Sequence, residues 1–209
     1  MIDIAVIDYG MGNLHSVAKA LERAAPELKV VVTGDPAQVA RASRVVFPGQ
    51  GAMPDCMREM DAHGLREAVL AAARSKPFLG ICIGLQMLFE RSEEGDVAGL
   101  GLQPGRVRRF SNSMVNAAGA RVKVPHMGWN RIRQAAAHPL WRGIPDGSWF
   151  YFVHSYYVEQ AGSSEYPYAF TCAIARDNVV AVQFHPEKSQ KAGLQLLANF
   201  AQWRPAPSN

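Results

Sequence analysis

The stretch KPFLGICIGLQMLFE, residues 76–90, joins a short apolar run to a helix-like run and sets Cys82 between Gly80 and Gly84. The apolar run indicates a buried strand, and the residues after Cys82 indicate a helix over about 83–91. The two glycines are needed because a side chain at either position would collide with the neighbouring strand or helix at so tight a turn. The stretch therefore predicts a sharp strand-to-helix turn with a cysteine at its apex.

The rest of the N-terminal half repeats this alternation of strand and helix. Short β-branched runs, IDIAVID, KVVVTG and RVVFPG, each precede an amphipathic segment. Strands that alternate with helices indicate βαβ units, and hence a parallel sheet covered on both faces. We predict an α/β fold of flavodoxin-like type, with a mostly parallel sheet flanked by helices.

After residue 96 the pattern changes. Gly-punctuated, aromatic-rich runs such as SWFYFVHSYYVE follow one another without helices between them, until a helical segment closes the chain. Such runs indicate hairpins or an antiparallel extension of the sheet. No linker or repeat divides the sequence, so we expect residues 1–209 to form one domain.

Composition narrows the function classes. The 209 residues are 48% hydrophobic, their apolar runs are broken well short of a membrane span, and the N-terminus lacks the basic region of a signal peptide. The net charge of +4 is spread along the chain, apart from a denser group at Arg106, Arg108 and Arg109. These features favour a soluble, cytoplasmic protein with an ordinary solvated surface over one that binds nucleic acid or a membrane.

The three cysteines, Cys56, Cys82 and Cys172, are an odd number without a CxxC pair. This pattern argues against a disulfide framework and a tetrahedral zinc site, and no spacing of His, Cys, Asp and Glu resembles another metal site. We therefore expect no metal and no cofactor. Each cysteine is then either a buried small residue or a reactive thiol.

Cys82 is the best candidate for a reactive thiol. Its G-x-C-x-G setting is the cysteine counterpart of the G-x-S-x-G nucleophile elbow, in which strained backbone presents the nucleophile at the end of a strand. The N-terminal end of the predicted helix would favour its thiolate. From these five residues alone, a structural cysteine and a nucleophile both stay open.

A second motif supplies a base. The run NVVAVQF indicates a buried strand that ends near His185, because Pro186 cannot donate a ladder hydrogen bond. His185 and Glu187 are two residues apart, so in extended backbone their side chains point the same way and the carboxylate can orient the imidazole. Cys82, His185 and Glu187 would then act as nucleophile, base and orienting group.

Together these motifs resemble the class I, triad-type glutamine amidotransferases, whose hallmark is a G-x-C-x-G elbow followed later in the chain by H-P-E. FPGQG, residues 47–51, is placed like the family's oxyanion segment, although Gln50 departs from the small apolar residue often found there. The chain is similar nearly end to end to one group in this family, the glutaminase subunits of imidazole glycerol phosphate synthases. The motifs that carry this closer resemblance are DYGMGNL, FPGQGAM, VPHMGWN, HSY and QFHPEKS, beginning at residues 8, 47, 124, 154 and 183.

The resemblance implies a reaction. Cys82 would attack the side-chain amide of glutamine, His185 would protonate the departing ammonia, and water would then hydrolyse a γ-glutamyl thioester. The positions that correspond to the family's oxyanion hole are Gly49, Gly51 and Ile83. Those that correspond to its contacts with the substrate are Gln86, Ser155 and Tyr156.

The resemblance also implies a partner. Glutaminases of this group dock on a cyclase subunit with a (β/α)₈ barrel, form a heterodimer and pass ammonia to it. The cyclase makes imidazole glycerol phosphate and an aminoimidazole carboxamide ribonucleotide in histidine biosynthesis. Trp129, in a Gly-flanked loop, is also typical of an interface anchor. The interface candidates are Asn13, Met127, Trp129, Asn130 and Lys188.

Three alternatives stay open. Gly10-Met-Gly12 lies where a dinucleotide-binding fingerprint would begin, but His15 stands in place of its third glycine. A cysteine hydrolase or peptidase on the same sheet is disfavoured by H-P-E and Gln86. A glutaminase subunit of another synthase, of the pyridoxal phosphate or anthranilate type, is disfavoured by VPHMGWN and DYGMGN.

Overall fold

The computed structural model describes residues 2–113, 115, 121, 123–159 and 170–206. In this part of the chain the α-helices are α1 (Leu14–Ala24), α2 (Pro36–Arg41), α3 (Met53–Ala62), α4 (Arg66–Ser75), α5 (Ile83–Gln86) and α6 (Gln190–Gln202). The strands are β1 (Ile4–Ile7), β2 (Val30–Thr33), β3 (Arg44–Gly49), β4 (Phe78–Cys82), β5 (Phe89–Ser92), β6 (Val97–Ala98), β7 (Gln103–Arg109), β8 (His126–Arg131), β9 (Trp149–His154), β10 (Tyr156–Glu159), β11 (Ala173–Arg176) and β12 (Val179–Val182). Short 3₁₀ helices span Pro139–Trp141 and Pro186–Lys188.

The largest sheet has six strands in the order β11-β12-β4-β3-β1-β2. Five of them run parallel, whereas β11 pairs antiparallel with β12 at one edge. Every residue of β1, β4 and β12 is buried, as expected for parallel strands covered on both faces. The mostly parallel α/β fold predicted from the sequence is confirmed, and β11 is its antiparallel extension.

Two smaller sheets follow from the aromatic-rich half of the chain. One has the order β10-β7-β5-β6. The other is a two-stranded antiparallel ribbon in which His126 pairs with His154 and Arg131 with Trp149, called here the β8–β9 ribbon. Along β9 buried residues alternate with more exposed ones, whereas β8 is mostly exposed. The ribbon therefore packs on the protein mainly through one face of β9.

The helix predicted over residues 83–91 was wrong beyond its first turn. α5 ends at Gln86, and Phe89 begins strand β5, where Phe89 itself is fully buried. β5 pairs in parallel with β7 and antiparallel with β6, so contacts with strands later in the sequence outweigh the local helical pattern. Because the helix after Cys82 is a single turn, its dipole favours the thiolate less than the sequence suggested.

The topology gathers the three sequence motifs at one end of the sheet. β3, β4 and β12 are neighbours and run parallel, so their carboxyl ends lie side by side. Gly49 at the end of β3 pairs with Cys82 at the end of β4, and Val182 pairs with Ile81. The FPGQG segment, the cysteine elbow and the segment that contains His185 therefore meet at this edge.

Candidate active site

Cys82 lies at the apex of the turn between β4 and α5. Its backbone angles are φ 57° and ψ −112°, a positive-φ conformation that residues with a side chain rarely adopt. Only 4% of the residue is exposed. The strained apex predicted for the elbow is therefore present, with the thiol almost enclosed by protein.

Gly84 and Gly80 are required by close packing around that turn. A Cβ on Gly84 would overlap the carbonyl oxygen of Phe47, and one on Gly80 would lie 2.9 Å from both the Cβ of Ala181 and the carbonyl oxygen of Gly84. These are backbone atoms or strand residues that cannot move aside cheaply. The steric reason given for the two glycines is thus borne out by the structure.

His185 and Glu187 form a buried pair beside the elbow. The Nδ1 of His185 and the Oε1 of Glu187 are 2.8 Å apart, and their side chains are 5% and 2% exposed. The local geometry differs from the extended backbone that we expected, because Glu187 lies in the 3₁₀ helix Pro186–Lys188. The tight turn still returns the carboxylate to the imidazole. Ser189 stabilises this turn, because its hydroxyl donates a hydrogen bond to the carbonyl oxygen of His185 at 2.6 Å.

The electrostatics favour a protonated His185. Burial by itself would lower its pKa, but hydrogen bonding and charge interactions with Cys82 and Glu187 outweigh burial and raise the pKa to about 9. The Nε2 atom has no fully formed hydrogen bond to any described residue. An imidazolium held by Glu187 beside a thiol is the arrangement that stabilises a thiolate.

The other two cysteines lie in different surroundings. Burial raises the pKa of Cys56 and of Cys172 to about 11. The thiol of Cys56 donates to the carbonyl oxygen of Gln50 at 3.4 Å. Both thiols therefore stay protonated at neutral pH, which leaves Cys82 as the candidate nucleophile.

The predicted oxyanion positions surround the elbow. A Cβ on Gly49 would lie 2.8 Å from the Cβ of Ile83 and 3.0 Å from the backbone nitrogen of Gly84, so β3 touches the turn directly. Gly51 has φ 101° and lies in an exposed loop after β3. Gly49 and Ile83 are thus close to Cys82, and Gly51 is at the end of the adjoining segment.

Gln86 and Tyr156, two of the predicted substrate contacts, are joined to Cys82 by hydrogen bonds. The amide nitrogen of Gln86 donates to the carbonyl oxygen of Tyr156 at 3.2 Å and to the Oε1 of Gln183 at 3.0 Å. The Nε2 of Gln183 in turn donates to the sulfur of Cys82 at 3.7 Å. Ser155 lies at the bend between β9 and β10, where its carbonyl oxygen accepts from the backbone of Phe110.

A second chain of hydrogen bonds starts from the same carbonyl of Tyr156. It accepts from the Nδ1 of His154 at 2.7 Å, which makes the other nitrogen of His154 an acceptor in the neutral ring. That nitrogen lies 3.0 Å from the Nδ1 of His126, and the Nε2 of His126 lies 3.3 Å from the side-chain amide of Asn130. The base of the β8–β9 ribbon is therefore connected to the same backbone atom as the elbow.

The predicted interface residues lie mainly on that ribbon, where Trp129 is in strand β8 and not in the Gly-flanked loop that we expected. Met127 and Trp129 are 64% and 43% exposed, and Trp149 on the paired strand is 50% exposed. Lys188 places its ammonium 5.9 Å from the ring of Tyr151 on β9. Asn13 is apart from them, as the N-cap of α1. Trp149, which the sequence analysis did not single out, extends the exposed aromatic surface of Trp129.

Gln183 and Ser189 are the site residues that sequence reasoning missed. Both belong to the quoted motif QFHPEKS, but neither was given a role. A signal was available for Gln183, because it is a polar residue in an otherwise apolar buried strand run, and a buried amide needs partners. Ser189 carried no comparable signal, since a serine before a helix is ordinarily a cap.

No group of three or more His, Cys, Asp or Glu side chains in the described part of the chain is arranged to hold a metal ion. Among the helices described, none has an apolar stretch of the length that a bilayer span requires.

Comparison with known proteins gives a family match over most of the chain. Residues 5–203 match the family model described as glutamine amidotransferase class-I. The imidazole glycerol phosphate synthase subunit HisH of Nitrosospira multiformis is 63% identical over an alignment of 211 positions, which covers 98% of this chain and 100% of that protein. The subunit of the same name from Dechloromonas aromatica is 65% identical over 209 residues, which cover 97% of each.

Solved structures show the same fold at much lower identity. PurLQS from Thermotoga maritima matches with a TM-score of 0.67 and 17% identity, over 96% of this chain and 98% of that one. The glutaminase domain of CTPS from Trypanosoma brucei, solved with bound acivicin, matches with a TM-score of 0.62 and 17% identity, over 99% and 96%. At this identity the likeness concerns the fold alone.

Proposed function

The chain belongs to the class-I glutamine amidotransferase family, within the group of imidazole glycerol phosphate synthase glutaminase subunits, and we propose that Cys82, His185 and Glu187 carry its chemistry. As such a subunit it hydrolyses glutamine to glutamate and ammonia in histidine biosynthesis. The relatives disfavour the pyridoxal phosphate and anthranilate alternatives. The observation that carries the proposal is the enclosed Cys82 at a strained elbow, beside a His185 that Glu187 holds through a 2.8 Å contact.

The proposed reaction begins with the Cys82 thiolate and the His185 imidazolium. The thiolate attacks the side-chain carbonyl carbon of glutamine, and the carbonyl electrons move to the oxygen. Collapse of this intermediate breaks the C–N bond, and His185 gives its proton to the departing ammonia. The resulting neutral imidazole takes a proton from water, which attacks the thioester, releases glutamate and restores the ion pair. Glu187 keeps the imidazole oriented throughout.

We assign the oxyanion hole to backbone groups of Gly49, Gly51 and Ile83. Support comes from the register of β3 beside β4, which brings Gly49 against the elbow. Preorganised backbone donors at such a position each contribute about 3 kcal/mol to the transition state. The small shift of a single peptide in this segment would therefore change the rate strongly.

The loop before α1 offers a physical route by which a partner could affect that segment. A Cβ on Gly12 would come within 3.9 Å of the backbone of Gly49 and Gln50, and one on Gly51 would lie 3.1 Å from the side chain of Met11. Asn13, the interface candidate, is the next residue along this loop. A subunit that contacts Asn13 would consequently press on a loop packed against the oxyanion segment.

The proposal includes a cyclase subunit with a (β/α)₈ barrel, bound as a heterodimer. Its support is the exposed aromatic surface of the β8–β9 ribbon, where Met127, Trp129 and Asn130 lie on one strand. Aromatic residues in exposed clusters are typical anchors of protein interfaces.

Gln86, Ser155 and Tyr156 are proposed to hold the α-substituents of glutamine. The whole chain is proposed as one glutamine amidotransferase domain, in keeping with the match over residues 5–203.

We also propose a cytoplasmic location. The three cysteines are all free thiols, as is usual for proteins of a reducing compartment.

Glutamate release by the assembled synthase tests the assignment of the nucleophile. Cys82→Ala should reduce glutamine hydrolysis by about a thousandfold or more, because no other thiol lies at the elbow. Cys172→Ser is the matched control, and its turnover should stay near that of the parent. Turnover that survives Cys82→Ala would contradict the proposal.

A further inference from the structure

Gln183 is a buried amide whose two ends are both used inside the site. None of its surface is exposed, although it continues the apolar strand run of β12. Its Oε1 accepts from Gln86 at 3.0 Å, and its Nε2 donates to the sulfur of Cys82 at 3.7 Å. A buried amide is costly unless its polar atoms are paired, so these two contacts hold the side chain in one orientation.

The direction of these hydrogen bonds is fixed by the carbonyl of Tyr156. A backbone carbonyl can only accept, so the end of the Gln86 side chain that faces it must be the NH₂ group. The second hydrogen of that NH₂ group then needs an acceptor on Gln183, which must be its oxygen. The nitrogen of Gln183 is left facing Cys82. The sulfur is therefore met by an N–H donor.

We propose that Gln183 is a further catalytic residue of this glutaminase, which donates a hydrogen bond to the Cys82 thiolate and fixes the orientation of Gln86 for substrate. A donor at the sulfur stabilises the charged thiolate more than the neutral thiol or the neutral thioester. It thus complements His185, which acts on the same sulfur as an acid and a base. This inference rests on the proposed role of Cys82 as the nucleophile.

The effect on Gln86 concerns substrate binding. Both hydrogens of its NH₂ group are used, by Tyr156 and by Gln183, while its buried Oε1 has no partner among the described residues. A buried acceptor without a partner requires a donor from elsewhere. The α-ammonium of glutamine is a donor of this kind. Gln183 keeps the acceptor end of Gln86 free for it, since rotation of the Gln86 amide would break both bonds.

Two substitutions separate these roles. Gln183→Met has a similar shape but neither donor nor acceptor, so it should weaken both the thiolate and the position of Gln86. Gln183→Glu retains an acceptor for Gln86 but, when ionised, sets a negative charge beside the sulfur. Gln202→Met and Gln202→Glu are matched controls, because Gln202 lies at the end of α6, where its oxygen accepts only a 3.4 Å contact from Arg142.

The first readout is the pH dependence of alkylation of the full-length chain by iodoacetamide, followed by mass mapping of Cys82. Loss of a hydrogen bond to a charged group should move the midpoint for Cys82 upward by about one pH unit in Gln183→Met. Gln183→Glu should move it further. Both Gln202 variants should leave it in place. A purely structural role for Gln183 would lower the reactive fraction without moving the midpoint.

The second readout is glutamine turnover by the assembled synthase. Gln183→Met should lower kcat about tenfold and raise KM, whereas Gln183→Glu should lower kcat with KM close to that of the parent. The inference is overturned if either folded variant retains the parental alkylation midpoint. Cys82→Ala, measured beside them, separates the two proposals. An active Cys82→Ala would refute the nucleophile, whereas an inactive one with unaltered Gln183 variants would refute only the role of Gln183.

Discussion

His185 at the elbow and His154 at the base of the β8–β9 ribbon are both almost inaccessible, with 4% and 6% exposed, yet their surroundings drive their protonation in opposite directions. Burial lowers the pKa of both rings. For His154 the charges of His126 and His185 add to burial, and the pKa falls to about 3 despite the bond to the carbonyl of Tyr156. For His185 the thiol of Cys82 and the carboxylate of Glu187 outweigh burial, and the pKa rises to about 9.

The difference teaches that burial alone does not decide what a histidine does. At the elbow, contacts with Cys82 and with the Glu187 carboxylate favour the protonated ring of His185, as the proposed reaction requires. At the ribbon, His154 contacts another imidazole and the rings of Phe110, Phe152 and Phe170, so it serves as a neutral link in a donor–acceptor chain. The elbow region therefore has the electrostatics that the proposed chemistry requires, and the ribbon region carries an exposed surface.

The largest expected effect comes from removing the carboxylate of Glu187, which helps to raise the pKa of His185 while the pKa of His154 is lowered. Glu187→Gln keeps the size of the side chain but loses the carboxylate, so the pKa of His185 should fall from about 9. We expect glutaminase kcat to fall roughly tenfold to hundredfold. The pH profile of kcat and an NMR titration of His185 measure both effects. Glu22→Gln, in an exposed pair with Lys19, is the control, and an unchanged titration of His185 would contradict the comparison.

The next effect concerns binding of the cyclase subunit to the exposed side chains of the β8–β9 ribbon. Trp129→Ala should weaken the complex with the cyclase subunit about tenfold, because exposed tryptophans are frequent binding hot spots. Alkylation of Cys82 in the free chain should stay unchanged. Val32→Ala removes an exposed apolar side chain from β2 and should leave the Kd unaltered. If the Trp129→Ala and Val32→Ala chains bound the cyclase subunit with equal affinity, the ribbon would not be part of the interface.

The smallest effect is on stability against pH. Since the folded pKa of His154 is about 3, the unfolded chain binds a proton as the pH falls through the ordinary value of 6.5, whereas the folded chain does not. The stabilising contribution of neutral His154 is therefore complete above 6.5 and lost progressively down to 3. His185 acts in the opposite sense, because its raised pKa stabilises the fold below 6.5 and that contribution is lost as the pH rises to about 9.

His154→Phe should accordingly flatten the acid limb. Urea unfolding at pH 5 and pH 7 should show that the loss of free energy of unfolding between them is smaller in the variant, by on the order of 1 kcal/mol. The slope is the relevant quantity, since the substitution also removes hydrogen bonds and changes the absolute stability. A parental slope in His154→Phe would mean that other groups cause the acid sensitivity.

Much of the fold, and the meeting of Cys82, His185 and Glu187, could be predicted because the signals are local. The alternation of strand and helix, the glycines around Cys82 and the proline after His185 each constrain the backbone where they stand. Because parallel βαβ strands bring their carboxyl ends to one edge, the segments that follow β3, β4 and β12 meet there. The predicted elbow, the parallel sheet and the contact between His185 and Glu187 all depend on such signals.

The features that failed or were missed depend on partners far along the chain. The segment after Gln86 has a helical pattern, but β7 pairs with Phe89 and converts it to strand. Glu187 is an exception, because it is only two residues from His185 and reaches it through a 3₁₀ turn rather than extended backbone. The contacts of Gln183 with Gln86 and Cys82 form only in the folded chain, and no local sequence pattern predicts them.

The most direct test of the central claim is to trap the covalent intermediate. The assembled synthase would be quenched with acid during turnover of isotopically labelled glutamine, digested, and mapped by mass spectrometry. The account predicts a labelled γ-glutamyl thioester on the peptide that contains Cys82, and none in Cys82→Ala. Label on Cys56 or Cys172, or glutamate formation by Cys82→Ala at the parental rate, would contradict it.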